Sequence, residues 1–187
     1  MSEPVRIPGV RGVAGRIDSP AADSVVVACP PHPQHGGSRS DPRLRTVSDA
    51  LAPDVACLRF DYGPWDGGEG ETVDAGSAVD WAADRYDGVG LFGYSFGGGV
   101  ALRAAAHTDT ELAACSVLAP AADALDAVEC PLQVVVGDRD RTVDWEPVAD
   151  RARTLGHTVE TVSATHQFRR TRDRVGRLVG GFLAARL

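Results

Sequence analysis

The chain has 187 residues, of which 43% are hydrophobic and 24% are charged, and this composition is typical of a folded globular protein. We therefore expect a single domain over residues 1–187. Its net charge of -7 predicts repulsion from nucleic-acid phosphates and anionic lipids, which argues against both as partners. No apolar run approaches the roughly 18–20 residues of a membrane span, and the N-terminus lacks the features of a signal peptide, so we expect a cytoplasmic protein.

All basic residues are arginine, and aspartate outnumbers glutamate. This composition suits a high-salt cytoplasm, and a GC-rich genome would bias it in the same direction. The cysteines are Cys29, Cys57, Cys115 and Cys130. Three of them lie in apolar runs, as expected of buried reduced thiols, and none has the Cys/His spacing of a metal site. We predict neither a metal nor another cofactor.

Valine-rich runs alternate with helical stretches, a pattern typical of a mostly parallel sheet with helices on both faces. Residues 5–17 are a candidate edge hairpin, although their glycines and Pro8 weaken the pattern. The predicted strands follow at 24–29, 55–60, 89–94, 114–119, 132–137 and 157–162. The predicted helices are 42–52, 71–85, 96–107, 145–155 and 167–187. The sequence thus predicts an α/β fold, a three-layer α/β/α sandwich.

Two details of this pattern bear on the site. In the helix predicted at 71–85, most apolar side chains fall on one face, which includes Val73. Residues 30–38 and 61–70 are rich in turn formers and predict loops. Only the short segment 120–130 separates the fourth and fifth of these predicted strands, which leaves no room for a helical cap domain.

Residues 93–97 have the sequence G-Y-S-F-G and join a predicted strand directly to a predicted helix. This context is typical of a nucleophile elbow, in which Ser95 adopts a strained backbone conformation with its hydroxyl above the sheet. Glycines two residues on either side avoid collisions with the neighbouring strand or helix. The first N–H groups of the helix then point towards the atom that Ser95 attacks and favour negative charge there. The alternative is an ordinary strand-to-helix turn with glycines for close packing.

A serine nucleophile needs a general base and an orienting carboxylate, expected later in the chain in the order Ser, acid, His. His166 is the candidate base because, of the five histidines, it alone lies in a loop after the last predicted strand. A surface or helix-capping histidine is the alternative. Asp140 is the candidate acid, beyond the strand at 132–137, at the edge where open α/β sheets bind ligands. Asp138 is its rival, and we interpret Asp144 as a helix N-cap.

Three further motifs accompany the elbow: P-P-H-P-Q-H-G-G at residues 30–37, R-F-D-Y at 59–62 and G-E-T-V-D-A at 70–75. Together they resemble the α/β-hydrolase superfamily, and more narrowly a group of small uncapped hydrolases related to the dienelactone hydrolases. The resemblance covers about residue 24 to the C-terminus and implies a minimal fold without a cap. Pro30 replaces the first histidine of the group's loop, and the stretch between Tyr62 and Gly70 is shorter than usual.

The resemblance also implies that the loop after the strand at 24–29 supplies half of an oxyanion hole. Because proline lacks an N–H group, His32 is the first residue of this loop whose backbone can donate. We pair it with the backbone N–H of Phe96. The alternative is that the proline-rich stretch is simply a rigid loop.

These residues predict a serine hydrolase that acts on a small-molecule ester, thioester or related acyl substrate through an acyl-serine intermediate. The alternative is a domain of the same fold that binds a small ligand or a partner without turnover, with Tyr62, Trp65 and Tyr94 as exposed aromatic residues. Nucleotide binding through the glycines of residues 88–98 is disfavoured because the chain has no lysine for a phosphate loop. A monomer and a homodimer both remain open.

Overall fold

The computed structural model describes residues 1–9, 11–121 and 124–187. The strands in these ranges are β1 Ser2–Ile7, β2 Val13–Asp18, β3 Ser24–Cys29, β4 Ala56–Phe60, β5 Gly88–Tyr94, β6 Ala114–Leu118, β7 Leu132–Gly137 and β8 Thr158–Val162. The α-helices are α1 Pro42–Leu51, α2 Glu69–Ala83, α3 Phe96–His107, α4 Trp145–Thr154 and α5 Arg172–Ala184. Short 3-10 turns lie at Pro33–His35 and Leu125–Ala127.

The strands form one sheet in the order β1-β2-β4-β3-β5-β6-β7-β8. The strands from β3 onwards pair in parallel, whereas β1 and β2 form an antiparallel hairpin that joins the sheet through β4. Every residue of β3, β4, β6 and β7 is buried, as expected for strands covered on both faces. The predicted fold class is therefore confirmed.

Helices cover both faces of the sheet. One hydrophobic core contains side chains of α2, α3 and α4 together with the hairpin strands. The other core contains side chains of α1 and α5, which pack against each other. Because the parallel strands all end at the same edge, the loops that follow β3, β5, β7 and β8 gather there, and these loops carry the candidate site residues.

The helix and strand ends agree with the sequence prediction to within two residues, except in the last helix and the hairpin. The prediction starts that helix at residue 167, whereas α5 begins at Arg172. Phe168 has a φ of 48°, a left-handed conformation that an α-helix does not accommodate, and its side chain is 1% exposed in the core. Burying this ring delays the start of the helix.

The buried face of α2 also differs from the prediction. Val73, expected on the buried face, is 49% exposed. Two carboxylates, Glu71 and Asp74, lie instead on the buried face beside alanines and a valine. The guanidinium of Arg11 lies within 4 Å of both carboxylates, which explains how this face accommodates them.

The predicted edge hairpin is present as β1 and β2, and it extends beyond residues 5–17 at both ends. Residue 10 of this segment, and residues 122 and 123 of the segment 120–130, lie outside the described residues. Among the helices of the described ranges, none combines the length and the apolar character that crossing a bilayer would require.

Candidate active site

Ser95 lies at the junction of β5 and α3 with φ 56° and ψ -121°. A positive φ is costly for a residue with a side chain, so the surrounding structure must hold it in place. The N–H of Ser95 donates to the carbonyl of Leu118 at 2.8 Å, and its own carbonyl accepts the N–H of Gly98 at 2.8 Å. These hydrogen bonds to β6 and α3 fix the turn, which presents the hydroxyl at the carboxyl edge of the sheet.

The two glycines of the elbow lie where backbone segments meet. A Cβ at Gly93 would overlap the backbone of Gly97, and a Cβ at Gly97 would overlap the carbonyl oxygens of Cys29 and Pro30. The elbow therefore sits directly against the end of β3 and the start of the loop that carries His32. Glycine at both positions permits this close approach.

We expect Gly97→Ala to lower the free energy of unfolding by about 1–3 kcal/mol, because backbone oxygens at the clash cannot move aside cheaply. Gly76→Ala is the matched control, since a Cβ there meets nothing within 4 Å. Gly76 lies inside α2, where alanine should stabilise the helix by up to about 1 kcal/mol. Urea unfolding of both variants checks this, and equal effects would contradict the close-approach argument.

Three of the predicted site residues form a line of hydrogen bonds. The Oγ atom of Ser95 lies 2.8 Å from Nε2 of His166, and Nδ1 of His166 lies 2.7 Å from Oδ2 of Asp140. His166 and Asp140 are each only 7% exposed. The imidazole is thus held between a hydroxyl and a buried carboxylate, an arrangement that can carry a proton away from the hydroxyl.

The Asp140 carboxylate is fixed on its other oxygen. Oδ1 accepts the backbone N–H groups of Thr142 and Val143 at 2.8 and 3.2 Å. Asp138, the rival acid, turns away: its Oδ1 lies 3.7 Å from Nε of Arg139, and its side chain is 41% exposed. Asp144 occupies the expected N-cap position of α4, although its side chain makes no capping hydrogen bond.

Tyr94 is buried and supports the loop that carries His166. Its hydroxyl donates to the carbonyl of His166 at 3.0 Å, and the guanidinium of Arg43 lies 4.4 Å from the centre of its ring. The expectation that Tyr94 is exposed was wrong, since it is only 2% exposed. Burial raises the pKa of Tyr94 to about 12, so the phenol keeps its proton and remains a donor. The sequence does not predict this support. Tyr94 is part of the elbow motif, and its separate role becomes visible only from its burial and its hydrogen bond to His166.

The two backbone donors expected from the sequence lie on adjoining segments. The ring centres of His32 and Phe96 are 4.8 Å apart. Within the described residues, no hydrogen-bond acceptor is assigned to either N–H group. The carbonyl of His32 accepts the N–H groups of His35 and Gly37, both at 3.0 Å, and Tyr62 donates to the carbonyl of Pro30 at 3.0 Å. These hydrogen bonds hold this stretch of chain in a defined shape.

Aromatic rings pack around the side chain of His32. The indole of Trp65 lies 4.4 Å from the His32 ring and 5.5 Å from the Phe96 ring, measured between ring centres, and His35 stacks on His32 at 4.5 Å. Burial lowers the pKa of the His32 imidazole, and nearby His35 lowers it further. The lowered pKa favours the neutral form of the imidazole, which packs against these rings.

A groove of about 770 Å³ opens between α2 and α3. Phe96 lies at the end nearest Ser95, Thr72 and Val73 line one side, and His107 lines the far end. Gly67, Gly68 and Ala121 from two of the loops expected to build a pocket also line it. The described residues contain no cluster of three or more His, Cys, Asp or Glu side chains able to hold a metal ion.

A family model described as "alpha/beta hydrolase fold" matches residues 22–186. No curated protein sequence matches the chain significantly.

Solved structures match over nearly the whole length. An alpha-beta serine hydrolase homologue from Coxiella burnetii is 26% identical, with a TM-score of 0.84 over 97% of each chain. A serine hydrolase without lid from Xanthomonas campestris is 28% identical, with a TM-score of 0.81 over 97% of this chain and 95% of the other. A dienelactone hydrolase from Anabaena variabilis is 23% identical, with a TM-score of 0.83 over 100% and 98%, and its likeness concerns the fold alone.

Proposed function

The chain belongs to the α/β-hydrolase family, and from this premise we propose that it hydrolyses small ester, thioester or related acyl substrates through an acyl intermediate on Ser95. The observation that carries the proposal is the line of hydrogen bonds from the Ser95 hydroxyl through His166 to Asp140. Two solved structures above 25% identity are named serine hydrolases, and one of them is described as lacking a lid. Both descriptions agree with a serine nucleophile, and the second agrees with a site that has no covering domain.

In the first half of the reaction, Nε2 of His166 takes the proton from Ser95 as Oγ attacks the substrate carbonyl carbon. The carbonyl oxygen becomes an oxyanion, and the N–H groups of His32 and Phe96 donate to it. Each such donor contributes about 2.7–4 kcal/mol to lowering the barrier. The tetrahedral intermediate collapses when His166 returns its proton to the leaving alcohol or thiol, which leaves the acyl group on Ser95.

In the second half, a water molecule replaces the leaving group. His166 takes a proton from the water as its oxygen attacks the acyl carbon, and the same two donors hold the second oxyanion. Collapse releases the carboxylic acid, and the proton returns to Ser95. Throughout, Asp140 holds the tautomer with hydrogen on Nδ1 and stabilises the imidazolium that forms twice per cycle.

The groove between α2 and α3 is our candidate for holding the larger part of the substrate. Phe96 lines its near end, and the same residue supplies one proposed oxyanion donor, so a substrate carbonyl at Ser95 lies close to the groove. Val73 and Ala104 give it apolar contacts, whereas His107 and Asp109 make the far end polar. Glu69, Asp80 and Arg103 line the groove as well, so it offers a substrate both apolar and charged contacts.

A fluorophosphonate probe tests this proposal directly. The Ser95 oxygen should displace fluoride and form a bond to phosphorus, so the intact mass should rise by one adduct. Trypsin cuts after Arg85 and Arg103, and the peptide between them contains Ser95 as its one serine, so the adduct can be assigned without ambiguity. Protein unfolded in urea is the control and should not react, because activation of the hydroxyl needs the assembled site. A folded protein without the adduct would indicate a domain that binds without turnover.

A further inference from the structure

Residues 61–68, called the Trp65 loop below, are held by two buried carboxylates at the start of α2. Glu71 is fully buried and accepts the N–H groups of Asp66 at 3.0 Å and Gly68 at 2.7 Å. Asp74 is 2% exposed and accepts the N–H of Gly63 at 2.9 Å. These charge-assisted bonds tie three points of the loop backbone to the helix.

Two buried carboxylates so close together require a counter-charge. Arg11, at the turn of the edge hairpin, supplies it: its Nε lies 3.1 Å from Oδ1 of Asp74, and its Nη2 lies 3.7 Å from Oε1 of Glu71. Burial raises the pKa of Asp74, and the guanidinium opposes that rise. Nη2 also donates to the carbonyl of Pro64, so the same side chain contacts the loop itself.

The fit around the guanidinium is close. A Cβ at Gly70 would overlap Nη1 of Arg11, and a Cβ at Gly63 would come within 3.0 Å of its Nε. The Arg11 side chain is only 15% exposed. Arg11 of the hairpin turn therefore packs closely against the Trp65 loop and is ion-paired with the two carboxylates that hold the loop.

The loop carries Trp65, whose ring contacts the rings of His32 and Phe96. These are the two residues whose backbone N–H groups we propose as oxyanion donors. They lie on different segments, one after β3 and the other at the start of α3. Trp65 packs against both segments and is 39% exposed, so its position depends on the loop that carries it.

We propose that Arg11 is a positioning residue of the active site: it fixes the Trp65 loop, and Trp65 in turn holds His32 and Phe96 at the spacing that the oxyanion requires. This inference rests on the proposed function. Oxyanion donors stabilise a transition state only when they are held in place beforehand, so loosening the loop lowers kcat more than it raises KM. Arg11 itself touches no reacting atom.

Arg11→Met tests this role, since it keeps an unbranched side chain and removes the charge. We expect kcat for p-nitrophenyl acetate to fall about tenfold or more, with a smaller change in KM. Arg16→Met is the matched control: Arg16 lies on the same hairpin, and its hydrogen bonds go to Ser2. It should keep kcat within about twofold of the parent. Equal kcat in the two variants would overturn the proposal.

A double-mutant cycle asks whether Arg11 acts through Trp65. If it does, Arg11→Met combined with Trp65→Ala should lose no more activity than Trp65→Ala alone. Losses that multiply would mean that Arg11 only supports the fold, and would overturn the proposed route. Should Arg11→Met not fold, Glu71→Gln takes its place in the cycle, because it keeps the size but replaces one acceptor oxygen with an NH₂ group that cannot accept a backbone N–H.

The position of Trp65 can also be measured without turnover. With Trp81→Phe and Trp145→Phe as the parent, Trp65 is the one remaining tryptophan. Its fluorescence should be quenched more strongly by acrylamide after Arg11→Met than after Arg16→Met. Unchanged quenching would refute the role of Arg11, whereas absent fluorophosphonate labelling of the parent would refute the proposed function, so the two failures are distinguishable.

Discussion

Replacing Ser95 with alanine is expected to reduce kcat for p-nitrophenyl acetate by about four to six orders of magnitude, as nucleophile deletions do in serine hydrolases of known mechanism. Alanine keeps the Cβ but removes the oxygen that lies 2.8 Å from the base. In the described residues, no other hydroxyl forms a hydrogen bond with the His166 ring. The variant should therefore retain only the slow attack of water. The fluorophosphonate adduct should disappear with the turnover.

The matched control is Ser163→Ala. Ser163 is an exposed serine in the loop that carries His166. Its replacement should leave both turnover and labelling within about twofold of the parent. Urea unfolding should give similar free energies for all three proteins, because neither substitution opens a core cavity. Turnover by Ser95→Ala within tenfold of the parent would contradict the acyl-serine mechanism.

The sheet and the elbow were predictable because their signals are local. A buried parallel strand needs a short run of β-branched and apolar residues, and β3 and β7 each contain three consecutive valines. The elbow is similarly compact: five consecutive residues across the junction of a strand and a helix specify its turn. Neither prediction needs information from distant parts of the chain.

The start of α5 and the buried face of α2 were not predictable in this way. Phe168 leaves the helix because its ring fills a core built by other elements, and helical periodicity does not contain that information. Glu71 and Asp74 lie on the buried face because Arg11 neutralises them from the distant hairpin. The motif G-E-T-V-D-A contains both carboxylates. That they lie on the buried face depends on Arg11, which only the folded structure brings close to them.

The candidate site shows the same division. Sequence order and loop position singled out His166, whereas Asp138 and Asp140 remained alternatives because both follow the same strand. The difference between them is the path of the chain after Gly137: the N–H of Asp140 bonds back to the Gly137 carbonyl, and the N–H of Asp138 bonds to Val162 of β8. That turn brings one carboxylate to the imidazole and leaves the other beside Arg139.

Asp140→Asn and Asp138→Asn together test which of the two carboxylates acts on His166. Asp140→Asn should lower kcat by about four orders of magnitude, since a neutral amide cannot stabilise the imidazolium and its NH₂ group favours the wrong tautomer of His166. The amide oxygen can still accept the N–H groups of Thr142 and Val143, so the loop should keep its shape.

Asp138→Asn makes the same chemical change two residues away, on a carboxylate exposed to solvent, and should leave kcat within about twofold. Stopped-flow assays at neutral pH cover both rates. The reverse order of effects would assign the acid to Asp138 and require the loop after β7 to rearrange on binding substrate. Equal and small effects would mean that the imidazole needs no buried carboxylate, and hence that the bond between His166 and Asp140 serves only the fold.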